Sequence, residues 1–189
     1  MPRGLHVYSL GYEGVSLDRY IEVLKSHDIA VVVDVRETPW SYKRGFSKRP
    51  LTERLNTEGI SYVHVKSAGN PSRNRKMGLP QQKVIALYKK HLAVNPSCLV
   101  EISTIISEAA QSGGVCLLCF EQKPHDCHRK VILDKLMEQN ARLVVRHLSG
   151  SDDQSKESLV STGVPKANDG KRSRIHMEVA QEKSGSVPL

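Results

Sequence analysis

The strongest constraint on this chain is an alternation. Five short apolar runs, "LHVYSLG" (5–11), "IAVVVDV" (29–35), "ISYVHV" (60–65), "VCLLCF" (115–120) and "RLVVRHL" (142–148), are separated by segments with apolar residues at helical spacing. In "SLDRYIEVLKSHD", Leu17, Tyr20, Ile21 and Leu24 form one stripe and Ser16 is placed to cap it. "SKRPLTERLNTEG" reads as a short helix capped by Ser47 and stopped at Gly59. "PQQKVIALYKKHLA" and "CLVEISTIISEAAQSG" read as two more, the second closed at Gly113 and Gly114. "CHRKVILDKLMEQN" is the last. Strands alternating with helices predict an α/β fold: a mainly parallel sheet of about five strands with helices on both faces.

Charge locates the domain. The chain of 189 residues carries a net charge of +8. From Ser151 onward there are six cations, six acids and no Phe, Tyr or Trp, so the whole excess and all nine aromatics belong to residues 1–150. The expected organisation is a single domain over 1–149 and a flexible, disordered tail over 150–189. No run approaches the roughly 18 apolar residues of a membrane span, and "MPRGLHVYSL" contains no signal-type apolar region. The expected location is cytoplasmic, without membrane contact, where a disulfide framework is disfavoured.

In open α/β sheets, ligands gather outside the carboxyl ends of the strands. Here those ends carry "GYEG" (11–14), "DVRETPWSYKRGFSK" (34–48), "HVKSAGNPSRNRKMG" (64–78) and "CFEQKPHDCHR" (119–129). Asp34 leaves a run of valines beside Arg36, either as a structural ion pair or as a carboxylate that positions a ligand. Trp40, Tyr42 and Phe46 are interleaved with Lys43, Arg44, Lys48 and Arg49, the mixture used to stack bases and grip phosphates. Between Glu58 and Glu101 no acid occurs in 42 positions, while seven cations do, among them Arg73 and Arg75 in a loop that reads as mobile and basic. That one-sign field favours an anionic partner, a nucleic acid or nucleotide.

The stretch "VCLLCFEQKPHDCHRK" (115–130) concentrates the reactive groups. Cys116 and Cys119 have zinc-like C-x2-C spacing, with Cys127 and His128 following. However, residues three apart in a strand face opposite ways, so no metal site is expected from that set, and Cys116 and Cys98 read as core. Cys127 opens a helix behind Asp126, its expected N-cap. There its thiol would sense the positive helix end. Arg129 in the first turn opposes the helix dipole, which suggests a bound anion. Glu121 is the acid or base candidate of the same loop. The candidate catalytic set is therefore Glu121, Cys119, Cys127, His128 and Asp34. The candidate anion- and substrate-binding set is Arg129, Arg36, Tyr12, Trp40, Lys43, Arg44, Lys48, Arg73 and Arg75. No cofactor is called for.

The segment from "SLGYEGVSLDRYIEVLKSHDIAVVVDVRETPWSYKRGFSK" through "GISYVHV" to "LLCFEQKPHDCHRKVILDKL" resembles the domain-of-unknown-function family 488 over about residues 5–148. The likeness rests on Gly11-Tyr12, Asp34-Val35-Arg36, Phe46-Ser47 and the Cys119-x-Glu121 to Cys127-His128-Arg129 loop. It implies a fold and a site rather than a reaction. Three readings follow: an enzyme acting on a nucleic acid, nucleotide or other phosphorylated substrate; a non-catalytic nucleic-acid-binding module; and a rhodanese-like sulfur-transfer or thiol redox enzyme. The third lacks a phosphatase-type cradle, because five residues after Cys119 the chain reaches His125 and not an arginine.

Overall fold

The computed structural model describes residues 5–76, 78–150 and 158–160. The elements run β1 (Leu5–Gly11), α1 (Leu17–Ser26), β2 (Ile29–Asp34), α2 (Lys48–Thr57), β3 (Ser61–His64), α3 (Ser72–Lys76), α4 (Gln81–Val94), α5 (Ser97–Ala109), β4 (Gly114–Cys119), α6 (His128–Gln139), β5 (Leu143–His147) and β6 (Ser158–Val160). The sheet order is β3-β2-β4-β1-β5-β6, with β1 to β5 parallel and β6 antiparallel on β5. All five expected strands and the five expected helices are present. Within the segment expected to be a flexible tail, Ser158–Val160 pairs with Val145–His147 as an edge strand. The rest of the tail lies outside the described residues. Among the described residues no helix is long and apolar enough to cross a membrane.

Two apolar layers flank the sheet. On one face α1 and α2 pack Tyr20, Ile21, Leu24, Leu51 and Leu55 against Leu10, Val32, Cys116 and Leu118. On the other, α4, α5 and α6 pack Tyr88, Ile102, Ile132 and Leu136 against Val7, Val33, Leu117 and Cys119. Cys116 and Cys119 thus lie in different layers, as strand alternation requires.

The local signals act mostly as expected. Ser16 accepts from the Arg19 amide at 3.2 Å and caps α1. Ser47 stands at the N-cap of α2 without capping it. Its hydroxyl instead accepts from the Ser41 amide at 3.1 Å and closes the 41–47 loop. The basic segment expected to be mobile contains α3, anchored by buried Asn70 and Asn74, which hydrogen bond at 2.9 Å.

Strand order reverses between β1 and β4. The chain leaves β1 through α1 toward β2 on one side, and leaves β4 through α6 toward β5 on the other. That divergence opens the crevice in which α/β proteins place ligands. Gly11 is opposite Cys119 in register there. A side-chain carbon on Gly11 would overlap the Glu121 carbonyl, so only glycine lets the 119–122 backbone settle on β1. The ladder then runs past the strand ends, with the Tyr12 and Glu13 amides donating to the Cys119 and Phe120 carbonyls at 3.3 and 2.9 Å. Gly11→Ala is expected to destabilise the domain by about 1–3 kcal/mol through overpacking, measured as a lower urea midpoint with an unchanged m-value.

Candidate functional site

The four expected loops converge. A cleft of about 450 Å³ opens at the carboxyl edge, and its lining includes Tyr12, Arg36, Trp40, Lys43 and Arg75 together with Cys119, Glu121 and His128. Glu37, Asn70 and Phe120 also line it and were not singled out from the sequence. For Phe120 a signal existed, an aromatic immediately after a strand end in the motif loop. Arg44, Lys48 and Arg73 are exposed and not among the lining residues.

Asp34 and Arg36 are the first correction. The Asp34 carboxylate is fully buried and does not line the cleft. It accepts from Arg36 Nε at 2.9 Å and Nη2 at 2.5 Å, and from the Tyr62 hydroxyl at 2.6 Å. Arg36 spends its remaining Nη1 hydrogens on the Tyr12 hydroxyl at 3.0 Å and the Phe46 carbonyl at 2.9 Å. Burial opposes the Arg36 charge, but Asp34 and Tyr12 more than offset it and raise its pKa. With Nε, Nη1 and one Nη2 hydrogen committed inward, Arg36 is held in place as part of the cleft wall. Tyr12 is likewise buried, stacked on Phe46 at 4.3 Å, and cannot take a base on that face.

Arg129 is the second correction. It is fully buried and does not line the cleft. Its Nε donates to Cys127 Sγ at 3.1 Å and its Nη2 to the Glu121 carbonyl at 2.6 Å. The anion that offsets its unfavourable position in the first turn is internal, the Cys127 sulfur. Asp126 is not the cap. A short 3-10 turn at Pro124–Asp126 precedes the helix and Cys127 holds the N-cap position.

The reactive core is tight. Cys119 Sγ lies 3.1 Å from Glu121 Oε2 and 3.7 Å from His128 Nδ1, and Cys127 Sγ lies 4.0 Å from the same nitrogen. One ligand atom from each of Cys119, Glu121, Cys127 and His128 falls within 4.8 Å of the others. Cys127 is buried behind the cleft, while Glu121 is half-buried on the cleft side. His128 Nε2 sits 2.7 Å from the Val35 carbonyl. A carbonyl only accepts, so Nε2 keeps its hydrogen and Nδ1 faces the sulfurs. The Tyr88 ring packs on His128 edge-on at 4.9 Å.

The two thiols are shifted in opposite directions. Burial pushes Cys119 well up, reinforced by Cys127 and Glu121. Burial also works against ionising Cys127, yet the hydrogen bond from Cys119 and the charges of Arg129 and His128 prevail and hold its thiol well below the ordinary value. Burial raises the Glu121 carboxyl, with Cys127 adding to it. Burial would lower His128, but Cys127 and the Val35 carbonyl outweigh it and raise it.

Residues 16–136 match the family model described as Domain of unknown function DUF488, and the chain belongs to that family. No curated protein and no solved structure matches the chain. Asp34→Ala is expected to cost about 3–5 kcal/mol of stability, because it leaves a buried guanidinium unpaired. Chemical denaturation checks this. A variant with parental stability would return Asp34 to the catalytic set.

Proposed function

We propose that this member of the family is an enzyme acting on a nucleotide or nucleic acid, with the base held at the aromatic mouth of the cleft and the chemistry performed at its floor. The observation that carries this reading is the composition of the cleft from rim to floor. Trp40, Tyr42 and Phe120 are 55%, 94% and 45% exposed. Trp40 and Tyr42 meet edge-to-face at 4.2 Å. Large aromatics left open to water around a cleft offer π-faces to a planar ligand, each worth about 1–3 kcal/mol per stacked base.

Cations stand beside those rings. Arg75 is half exposed and held 3.7 Å from Glu37. The Lys43 ammonium is anchored 3.0 Å from the Tyr12 carbonyl. Both line the cleft and suit a phosphate at its wall. At the floor Glu121 is the only acid of the motif loop lining the cleft, and burial raises its carboxyl above the usual range, the direction that suits a group passing a proton. Cys119 and His128 reach the same floor. A purely binding surface would have no use for a buried thiol, imidazole and carboxylate in contact.

Trp40 is the single tryptophan of the chain, so its emission reports the rim directly. Mononucleotides and short oligonucleotides are expected to quench it saturably, and Tyr42→Ala to weaken binding by about 1–3 kcal/mol. Glu121→Gln is expected to spare the quenching and remove turnover when products are followed by chromatography. Trp40 emission unmoved by both ligand classes would rule out the proposed occupant.

A further inference from the structure

We infer that Cys119, Cys127, His128 and Glu121 form a binding site for a divalent transition-metal ion of the zinc class, set at the floor of the cleft. This deepens the reading above, since it names the reactive centre of the same site. The expectation of no metal rested on Cys116, which faces the opposite layer of the core. The set that gathers excludes Cys116 and replaces it with Glu121.

The geometry points to this centre in three ways. The first is spacing. A tetrahedral ion bound at ordinary Zn–S, Zn–N and Zn–O lengths separates its ligand atoms by about 3.6 Å. The sulfur-to-nitrogen distances are 3.7 and 4.0 Å. These suit two ligands of one ion. The Cys119–Glu121 distance of 3.1 Å needs only a small rotation of an unbranched carboxylate side chain.

The second is orientation. His128 donates Nε2–H to the Val35 carbonyl, the outer contact that fixes the tautomer of a metal-binding histidine. Nδ1 then aims its lone pair at both sulfurs. Two sulfurs, this nitrogen and a carboxylate oxygen thus converge on one point, a donor set that a cation can use. A proton can serve for one contact, and a metal ion serves all four.

The third is charge. A divalent ion that displaces the thiol protons of Cys119 and Cys127 to solvent would have its +2 charge, with that of the buried Arg129 guanidinium, matched by two thiolates and a carboxylate. Cys119, Cys127, His128 and Arg129 are all buried, where uncompensated charge is costly. Two sulfurs and an imidazole select zinc, cobalt or iron over magnesium and calcium. Cys127 closes the site from behind and Glu121 stands on the cleft side, so the ion is approached through the position Glu121 occupies. Three firm ligands and one displaceable one is the arrangement of a catalytic rather than a purely structural ion.

The test uses the full chain produced with zinc in the medium. Elemental analysis is expected to find one zinc per chain in the parent and in Cys116→Ser. Cys127→Ser and His128→Gln are expected to lose it, with affinity down by about 100-fold or more. Circular dichroism melts establish that each variant is folded. If either variant does not fold, cobalt added to metal-stripped parent decides the matter. The expected spectrum shows sulfur-to-cobalt charge transfer and tetrahedral ligand-field bands that saturate at one equivalent. A parent without stoichiometric metal that also takes up cobalt with no sulfur charge transfer overturns the inference, as do folded variants that keep the parent's zinc. Trp40 quenching by nucleotides is read separately. Zinc without quenching removes the proposed substrate and keeps the metal site; quenching without zinc does the reverse.

Discussion

The buried Asp34–Arg36 pair joins most of the site edge. One guanidinium fixes the end of β2 to the loop after β1 through Tyr12, and to the loop before α2 through the Phe46 carbonyl. Its carboxylate partner reaches β3 through Tyr62. Between the two, the Val35 carbonyl receives His128 from the opposite face. Replacing solvation of these charges in a low-dielectric interior requires every donor and acceptor to be matched, and here nearly every one is. The cost of the pair is repaid as position, because three strand ends and the first residue of α6 are held in one frame.

The fold was legible because its signals are local. Apolar runs of strand length, stripes of helical period, Ser16 as a cap and Gly59 as a stop each act within a few residues. Convergence of the motif loops followed from the rule for parallel sheets. The two arginines were misread for a shared reason. A guanidinium beside a strand end or in a first helical turn has the same sequence signature whether it faces a ligand or an internal acceptor. Only the packing shows that Arg129 ends on a cysteine sulfur and a backbone carbonyl. The replacement of Cys116 by Glu121 in the four-atom cluster was hidden for a different reason. A strand rule excludes the wrong cysteine, but it does not say how the loop between β4 and α6 returns to the remaining one.

The exposed candidates divide between the cleft and the general surface. Trp40, Lys43 and Arg75 line the cleft as expected. Their side chains are long or large and reach across loops without needing exact partners. Arg44, Lys48 and Arg73 point to the general surface, where they contribute to the field around the cleft and not to its wall.

The register of β1 carries a consequence for how the chain is made. β1 is flanked by β4 and β5, and Gly11 faces Cys119, 108 positions later (119 − 11). The strand at the centre of the pairing is therefore synthesised early and has no neighbour until the last third of the domain has left the ribosome. β2 and β3 can pair with each other long before then. Contacts of such separation slow folding and leave apolar backbone waiting. The cleft, built on the meeting of Gly11 with the Glu121 backbone, therefore cannot form until the chain has been made at least as far as residue 128.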